Sequence, residues 1–557
     1  MARDPGDLEA AAGGTRLGTV EAGSAAWRAL RPLAVVTGAQ MAEIDHRAQS
    51  EWALPGAILM ENAGANAYAA VRAHLWGSHP AGAPGTLAFV AGRGNNGGDA
   101  LVMARHAHLA GAERAVVVLA AGEPRGGTAT AANLAACRAL SIPVLAGEPG
   151  SAALRRAAWI FDGITGTGLR SALAGPPAAA VERINAAPGA VVAIDVPSGL
   201  HDGYDGGPLV RADATVTMGL PKRCLYLPGV RTAVGAILVV AVGFPRELLA
   251  DRALGCHLLT GDLLPGLLPG VAPDAHKGTR GHVAVFAAAP GTTGAAYLAA
   301  GAAARAGAGL VTLYADRDTY PLLAPAARSA MCRRLDAAGG PELRARLARH
   351  QALLVGPGWG RSSERRALLG ELLAAPLPGV LDADGLTLLA ELAADEGRPR
   401  PLGGRWVLTP HPGEMGRMLG TSTAQVLADP YAAAAAAAAR WQAAVILKGH
   451  VSCVASAAGL AILDAGNPAL ATGGSGDVLA GVVAGLLSRG LNTDAAARAA
   501  VLVHSRAGRE AARAGGWIVA EDLLPHVGRA AWPRPAHGVH QRGRYRPPFR
   551  HRRRRSR

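Results

Sequence analysis

Lysine is almost absent from this 557-residue sequence. Of its 56 basic residues, only Lys222, Lys277 and Lys448 are lysines, and the others are arginines. The five cysteines are scattered, with no C-x-x-C pair and no histidine cluster at metal-ligand spacing, which fits a reducing compartment and argues against a disulfide scaffold. No uninterrupted apolar run of about 18 residues occurs, and the N-terminus lacks the apolar core of a secretory signal. We therefore predict a cytoplasmic protein without a membrane partner.

The scarcity of lysine makes each surviving lysine informative. Arginine does not replace lysine where a compact, strongly hydrated charge is needed, so Lys222, Lys277 and Lys448 are candidates for specific roles. Chance survival on a solvated surface is the alternative for each. The three lie in the motifs G-L-P-K, H-K-G and L-K-G, each of which is expected beside a phosphate-bearing ligand.

The net charge of +15 is concentrated at the C-terminus. Residues 531–557 hold ten arginines and no acid, which leaves the remainder near +5. We predict an Arg/Pro-rich disordered tail and no nucleic-acid partner, with an RNA-binding tail as the alternative.

Strand-like and helix-like segments alternate from about residue 33, after a flexible extension at residues 1–30. This alternation predicts an α/β fold with largely parallel, covered sheets. A Pro-, Gly- and Leu-rich stretch interrupts it at residues 246–275, which we interpret as a linker between domains at residues 31–245 and 276–530. The predicted strands are residues 86–91, 115–119, 159–162, 191–195, 215–218 and 237–242, then 282–287, 310–314, 353–355, 380–382, 406–409 and 445–448, with a hairpin of 451–455 and 461–464.

Three candidate ligand loops follow strands of the first half. Residues 92–99 (GRGNNGGD) satisfy G-x-G-x-x-G and precede a helical run, a pattern that suits phosphate, yet their amides and carboxylate also suggest a hydroxylated ligand or a hard cation. Residues 162–169 (DGITGTGL) and 195–199 (DVPSG) each begin with an aspartate at a strand end. Because ligands bind outside the carboxyl ends of parallel strands, we expect the loops to converge; a helix N-cap is the alternative for each aspartate.

These motifs, with M-E-N-A-G at residues 60–64, resemble the NAD(P)H-hydrate epimerase family over residues 35–245. The resemblance implies a Rossmann-like domain with a potassium ion held by Asn96, Asp162 and Ser198. The implied substrate contacts are Asn95, Asn96, Gly97, Gly98, Asp99, Gly166, Thr167, Gly168, Leu169, Arg170, Ser171, Ala172 and Asp195. Ala100 and Ala172 depart from the usual Gly and Pro, and neither removes a reactive side chain.

One residue of this set is the predicted catalytic group of the first half. Burial at a strand end can bring a carboxyl group towards the working pH. Asp195 is therefore the expected acid–base residue. Lys222, just past the strand 215–218, is either a contact to the substrate phosphate or a surface lysine.

The second half contains a helix start suited to phosphoryl transfer. In residues 466–481 (GNPALATGGSGDVLAG), Gly473, Gly474 and Gly476 leave backbone amides open at a helix N-terminus. Asp477 stands in the first turn, where it could take a proton from an attacking hydroxyl group. The alternative is an aspartate favoured only by the helix dipole.

This G-S-G-D helix start resembles the ribokinase-like superfamily. With H-K-G, T-G-A-A, G-P-G-W-G, L-D-A-D-G-L, T-P-H-P-G-E and L-K-G, it resembles the ADP/ATP-dependent NAD(P)H-hydrate dehydratase branch over residues 257–528. The resemblance implies Asp477 as base and substrate contact, and a hydrate site lined by Ala295, Gly358 and His411. The implied nucleotide contacts are Lys448, Gly449, His450, Val451, Ser452 and Gly476. Thr292 departs from the frequent Tyr.

The two resemblances together predict a bifunctional nicotinamide nucleotide repair enzyme of two three-layer α/β domains. The first would interconvert the R and S hydrates NADHX and NADPHX; the second would dehydrate the S form with Mg²⁺ and ADP, giving AMP and phosphate. ADP is favoured because bacterial fused forms typically use it. We also expect a homo-oligomer. The alternative function is a small-molecule kinase of the thiazole or pyridoxal type, since G-S-G-D serves both.

Overall fold

The computed structural model describes residues 32–76, 85–111, 114–335, 339–464 and 466–532. The extension predicted at residues 1–30 and almost all of the predicted tail lie outside these ranges. Within them, no helix combines the length and apolar character needed to cross a membrane.

The first half is built on a wholly parallel seven-stranded sheet in the order β3-β2-β1-β4-β5-β6-β7. Its strands are β1 Leu87–Ala91, β2 Ala115–Leu119, β3 Val144–Leu145, β4 Trp159–Gly163, β5 Ala190–Ile194, β6 Ala214–Met218 and β7 Ala236–Val240. Its helices are Gly38–Glu51, Gly56–His74, Asn95–Leu109, Ala129–Ala139, Gly147–Arg156, Gly175–Asn185, Arg231–Val234 and Arg246–Leu249.

The position of a ligand crevice follows from this strand order. The chain proceeds from β1 outward to β3 and then returns to place β4 on the other side of β1. Such a reversal opens a crevice at the carboxyl ends of the two central strands. The runs LAFVA and WIFDG of β1 and β4 are buried throughout, which fits strands covered on both faces.

The second half has a ten-stranded sheet in the order β11-β10-β9-β12-β13-β14-β15-β16-β17-β8, in which only the pairs β15–β16 and β16–β17 are antiparallel. Its strands are β8 Cys256–Leu258, β9 His282–Phe286, β10 Leu310–Ala315, β11 Met331–Arg334, β12 Ala352–Val355, β13 Gly379–Leu381, β14 Trp406–Leu408, β15 Ala444–Leu447, β16 Val451–Ser456 and β17 Gly459–Asp464. Its helices are Leu264–Leu267, Thr293–Arg305, Tyr320–Leu323, Pro341–Leu347, Ser363–Ala374, Asp384–Asp395, Pro412–Leu419, Thr423–Ala428, Pro430–Trp441, Ser475–Ser488, Thr493–Gly515 and Ala520–Ala531.

The predicted α/β architecture, with largely parallel sheets and one hairpin, is confirmed. Three strands were not predicted: β3, β8 and β11. β3 has two residues, β8 three, and β11 carries exposed arginines, so none of them has a long apolar run. β3, β8 and β11 are all edge strands, where short and charged segments are common.

The two sheets are joined by strand-like pairing as well as by packing. The segment 246–275, interpreted above as a linker, contributes β8 to the edge of the second sheet. Residues 33–36 pair with β8, since Val35 N donates to Cys256 O at 2.9 Å and Leu258 N donates to Leu33 O at 2.8 Å. The Arg231 guanidinium donates to both oxygens of Asp464 at 2.9 and 2.8 Å across the junction, and both side chains are buried.

Candidate active sites

A cavity of about 790 Å³ opens at the carboxyl ends of β1, β4, β5 and β6. It is lined by Asn95, Asn96, Asp99, residues 166–170, Asp195 and Lys222, and also by Met41 and Asp45 of the helix Gly38–Glu51. The loops expected to converge therefore do so. Gly97, Gly98, Ser171 and Ala172 do not line this cavity.

The glycines of residues 92–98 are required mainly by packing. A side chain at Gly92 would overlap the carbonyl group of Ile164, and one at Gly97 would overlap the carbonyl group of Gly92. Gly98 faces the Met60 side chain, with only 2.5 Å to its sulfur from an added Cβ. Only Gly94 has open space. The glycine pattern thus lets the loop after β1 lie close to the loop after β4. Close approach of a phosphate would account for the glycine at Gly94 at most.

The three predicted potassium ligands lie together beneath the cavity. Ser198 donates to both oxygens of Asp162, through Oγ at 2.6 Å and through N at 2.8 Å. Asn96 Nδ2 donates to Thr165 O at 2.9 Å, while Asn96 Oδ1 is buried without a hydrogen-bond donor in the described ranges. Burial raises the pKa of Asp162 to about 6, although the Ser198 hydrogen bonds act to lower it.

Asp195 and Lys222 form an ion pair at one end of the cavity. Lys222 Nζ also donates to Met218 O at 2.7 Å and to Thr217 Oγ1 at 3.2 Å, and the lysine is 0% exposed. The surface alternative for Lys222 is therefore wrong, whereas its contact with a substrate phosphate stays a prediction, since Lys222 lines the cavity. Asp195 has φ of +68°, a left-handed conformation that non-glycine residues keep only where the surroundings hold it.

The predicted phosphate-binding helix start is present in the second half. The helix Ser475–Ser488 begins after Gly474, which has φ of +89°. A Cβ at Gly474 would lie 2.6 Å from Leu298 Cδ1 and 2.9 Å from Ala520 Cβ, so the loop requires glycine there. Asp477 lies in the first turn, where burial raises its pKa to about 6, with a contribution from Asp382 and opposition from Lys448.

Lys448 meets two carboxylates at the carboxyl ends of β13, β14 and β15. Its Nζ donates to Asp382 Oδ1 at 2.7 Å and lies 3.8 Å from Glu414 Oε2. Asp382 also accepts from Thr409 Oγ1 at 2.8 Å. Burial acts to lower the pKa of Lys448, but Asp382 and Glu414 outweigh it and the pKa is raised.

Sequence reasoning missed Asp382 and Glu414 as site residues. Signals for both were present, because Asp382 ends a predicted strand in L-D-A-D-G-L and Glu414 closes T-P-H-P-G-E. Their motifs were recognised, but only the tertiary contacts with Lys448 show what the two carboxylates do.

The proposed hydrate-lining residues also lie at this sheet edge. Thr292 Oγ1 donates to Gly358 O at 2.6 Å, and a Cβ at Gly358 would lie 3.1 Å from Ala295 Cβ. His411 caps the helix Pro412–Leu419, with Nδ1 accepting from Gly413 N at 3.0 Å. A neutral imidazole in this arrangement carries its proton on Nε2, which can donate to a ligand.

The predicted nucleotide segment, residues 448–452, forms the turn from β15 into β16, and the His450 ring packs against Gly466. Gly476 lies beside this segment, since an added Cβ would be 3.4 Å from Lys448 Nζ.

Lys277 does not lie where the sequence predicted it. It is exposed and precedes the amino end of β9, whereas Ala295 and Gly358 follow the carboxyl ends of β9 and β12. Among the three lysines, Lys222 and Lys448 lie at candidate ligand sites and Lys277 does not.

Comparison with known proteins gives matches to both halves. The family model described as NAD(P)H-hydrate dehydratase matches residues 283–527, and the one described as YjeF-related protein N-terminus matches residues 56–224. A solved Bacillus subtilis structure, ADP/ATP-dependent NAD(P)H-hydrate dehydratase co-crystallized with ATP/Mg²⁺, is 27% identical and covers 49% of this chain and 96% of its own, with a TM-score of 0.43.

Full-length relatives match both halves together. The bifunctional NAD(P)H-hydrate repair enzyme of Moorella thermoacetica is 39% identical, over 88% of this chain and 95% of the relative. That of Coxiella burnetii is 38% identical, over 78% of this chain and 88% of the relative. These matches support the repair-enzyme prediction over the small-molecule kinase. The chain belongs to the family of bifunctional NAD(P)H-hydrate repair enzymes, and its two activities are hydrate epimerisation and hydrate dehydration.

Proposed function

We propose that the cavity of the first half is the epimerase site and that the edge formed by β13, β14, β15 and the helix Ser475–Ser488 is the dehydratase site. The observation that supports this assignment most directly is the position of the charged groups. Asp195 faces the cavity of one sheet, and Asp477 stands at the glycine-rich helix start of the other. The domain ranges 31–245 and 276–530 are proposed with these roles.

Potassium fits the first site by the chemistry of its donors. Among the described residues, Asn96 Oδ1 is a buried oxygen without a hydrogen-bond donor and Asp162 is a buried carboxylate without an ion-pair partner; Ser198 Oγ retains a lone pair. A bound K⁺ would be held by these three residues and would compensate the buried charge. The test compares thermal unfolding in KCl and LiCl: K⁺ should raise the midpoint for the wild type and not for Asn96→Ala. An equal shift in both proteins would remove the ion from the proposal.

In the dehydratase site, Asp477 is the proposed base. It would take the proton of the hydrate hydroxyl group as that oxygen attacks the terminal phosphorus of ADP. The phosphorylated carbon then loses phosphate, a ring proton leaves, and the products are AMP, phosphate and reduced nucleotide. Gly474 and Gly476 would present backbone amides to the transferred group at the helix N-terminus.

Magnesium with the nucleotide fits the carboxylates near Lys448. Asp382 and Glu414 would hold it, and Mg²⁺ supplies neutralisation of phosphate charge when bound. The described ranges contain no group of three or more His, Cys, Asp or Glu side chains arranged around one metal ion. Nucleotide oxygens completing the shell would agree with that arrangement. Lys448 then contributes the fixed positive charge.

The deciding assay is recovery of NADH absorbance from S-hydrate. With ADP and Mg²⁺ the protein should restore the absorbance, more efficiently than with ATP, and R-hydrate should react only through the first site. Phosphorylation of an alcohol without recovery of NADH would overturn the dehydratase role. Homo-oligomerisation, a cytosolic location and the absence of a nucleic-acid partner remain predictions, and sedimentation and RNA retention at moderate salt measure the first and the last.

A further inference from the structure

Three carboxyl groups line the epimerase cavity: Asp45, Asp99 and Asp195. Asp99 lies in the second turn of the helix Asn95–Leu109 and is 9% exposed. Asp195 follows β5, and Asp45 lies on the helix Gly38–Glu51. The resemblance implies Asp99 as one of several substrate contacts, and the position of Asp195 at a buried strand end made Asp195 the expected acid–base residue.

The three groups have very different hydrogen-bond partners. Asp195 accepts from Lys222 Nζ and from the backbone N of Met218 at 3.2 Å, with Thr217 Oγ1 at 3.4 Å. Asp45 accepts from Gln49 Nε2 at 2.7 Å. The Asp99 side chain has no hydrogen bond or ion pair with any residue in the described ranges. Among the described residues, Lys222 is the one positive group that acts on the Asp99 carboxyl group, and it is bonded to Asp195.

The charges around Asp99 oppose its ionisation. Burial is the largest cause that raises its pKa well above the usual range, and the carboxylates of Asp195 and Asp45 act in the same direction. Lys222 acts against them but is already bonded to Asp195. Glu61, on the helix packed against that of Asp99, is occupied by Arg105 and His106. Paired carboxyl groups in such unlike surroundings divide into a proton donor and a proton acceptor.

We propose that Asp99 and Asp195 form an acid–base couple for the epimerisation, in which Asp99 donates a proton, Asp195 accepts one, and Lys222 is the positioning residue that makes the two carboxyl groups unequal. This inference rests on the proposed epimerase role of the first half.

The substrate chemistry requires one acid and one base. In a hydrate whose hydroxyl group is on the carbon bonded to the ring nitrogen, the Asp195 carboxylate removes the hydroxyl proton and the oxygen forms a carbonyl group. The bond from carbon to nitrogen breaks, and its electron pair goes to the nitrogen, which takes the proton of Asp99. Rotation presents the other carbonyl face, and the reverse steps close the ring. Both protons return to their original residues, and no water is lost.

The test is Asp99→Asn, which keeps the size of the side chain but cannot give up a carboxylic proton. We expect kcat for epimerisation, above the uncatalysed background, to fall about 100-fold or more, with KM changing less than about threefold. The fall in wild-type rate at high pH should disappear in the variant. Asp205→Asn, an exposed carboxyl group outside the cavity, is the matched control and should leave the rate unchanged.

Dehydration by the second half of the same chain shows whether each variant is folded. An unchanged kcat in Asp99→Asn, or a rise in KM alone, would overturn the proposal and leave Asp99 as a substrate contact. A wild-type chain that dehydrates S-hydrate but never epimerises would instead overturn the proposed function of the first half.

A second measurement covers the case in which Asp99→Asn does not fold. With ¹³C-labelled aspartate, infrared spectra of the wild type should retain a protonated carboxyl band at a pH where exposed aspartates are fully ionised. Complete ionisation of all aspartates at that pH would overturn the proposal. Lys222→Met should lower kcat for epimerisation and leave KM nearly unchanged, a split that a purely structural lysine would not cause.

Discussion

The two halves each place a lysine against an aspartate at the carboxyl edge of a sheet, and they use the pair differently. In the first half, Lys222 follows β6 and pairs with Asp195 after the neighbouring β5. In the second, Lys448 follows β15 and reaches Asp382 after β13, with Thr409 of the intervening β14 edge also bonded to that carboxylate. Similar strand-end chemistry has thus arisen on two different sheets.

The pairs differ in how much of the lysine remains available. The side chain of Lys222 is 0% exposed and its ammonium group has three partners, whereas that of Lys448 is 21% exposed and faces Glu414 and the Gly476 helix start. Backbone strain accompanies both pairs, with φ of +68° at Asp195 and +48° at Ala383 beside Asp382. The closed pair, Lys222 with Asp195, is suited to fixing the charge of an acid or base. The open pair, Lys448 with Asp382, is suited to binding an anionic ligand.

The largest expected effect concerns Asp477, the proposed base near Lys448 and Asp382. Asp477→Asn should lower kcat for dehydration by about 100- to 10,000-fold, because the amide cannot accept the hydroxyl proton. Epimerase activity, measured in the same preparation, should be unchanged. Asp318→Asn, an exposed site, is the control. A loss below tenfold would mean that Asp477 only favours the helix start.

The same substitution in the two pairs tests the contrast between closed and open. Lys222→Arg should destabilise the protein by about 1–3 kcal/mol, since the larger guanidinium group must fit into the fully buried space that the lysine ammonium group now fills. Lys448→Arg should change stability less, because its pocket is open on one side. Denaturant unfolding of both variants measures the difference. Equal losses in the free energy of unfolding would contradict the difference in packing around the two lysines.

Lys448→Arg should nevertheless weaken nucleotide use. We expect a rise of about tenfold in KM for ADP, because the planar guanidinium group cannot keep the compact contacts of the ammonium group with Asp382 and phosphate. Steady-state dehydration at varied ADP measures this effect. Unchanged kinetics would show that the scarcity of lysine in this chain carries no functional information at this position.

The pH dependence of dehydration should follow Asp477. A base must be ionised, so the rate should fall as pH drops through about 6, the raised pKa of Asp477. Lys448→Met removes a charge that lowers this pKa, and the midpoint should therefore move to higher pH. A profile that does not move would place another group in control of the rate.

The smallest effect is expected from the basic C-terminus. A chain ending at residue 532 should keep both activities within about twofold, because the described site residues all precede that point. Activity assays and RNA retention at moderate salt, with and without residues 533–557, measure the role of this tail. Loss of either activity would show that the tail serves catalysis.

Much of the architecture could be predicted from local sequence patterns. Buried strands such as AVVVL at β2 and HVAVF at β9 lie where their apolar runs predict them. The edge strand β8 could not be predicted, because its stability comes from pairing with β17 and residues 33–36, not from its own three residues. The candidate site residues at strand ends could be predicted from motifs, whereas the ion-pair partner of each charged residue could not.

The sequence by itself identified the candidates for the chemistry, since Asn96, Asp162, Asp195, Ser198 and Asp477 stand in motifs whose spacing is local. It also marked Lys222 and Lys448 as unusual, through the near absence of other lysines. Only the tertiary structure decided what those lysines do. Lys222 is fully buried and pairs with Asp195 across 27 positions, and Lys448 meets Asp382 across 66 positions. Charge partners are chosen by three-dimensional packing, so a one-dimensional pattern identifies the groups but not the pairs they form.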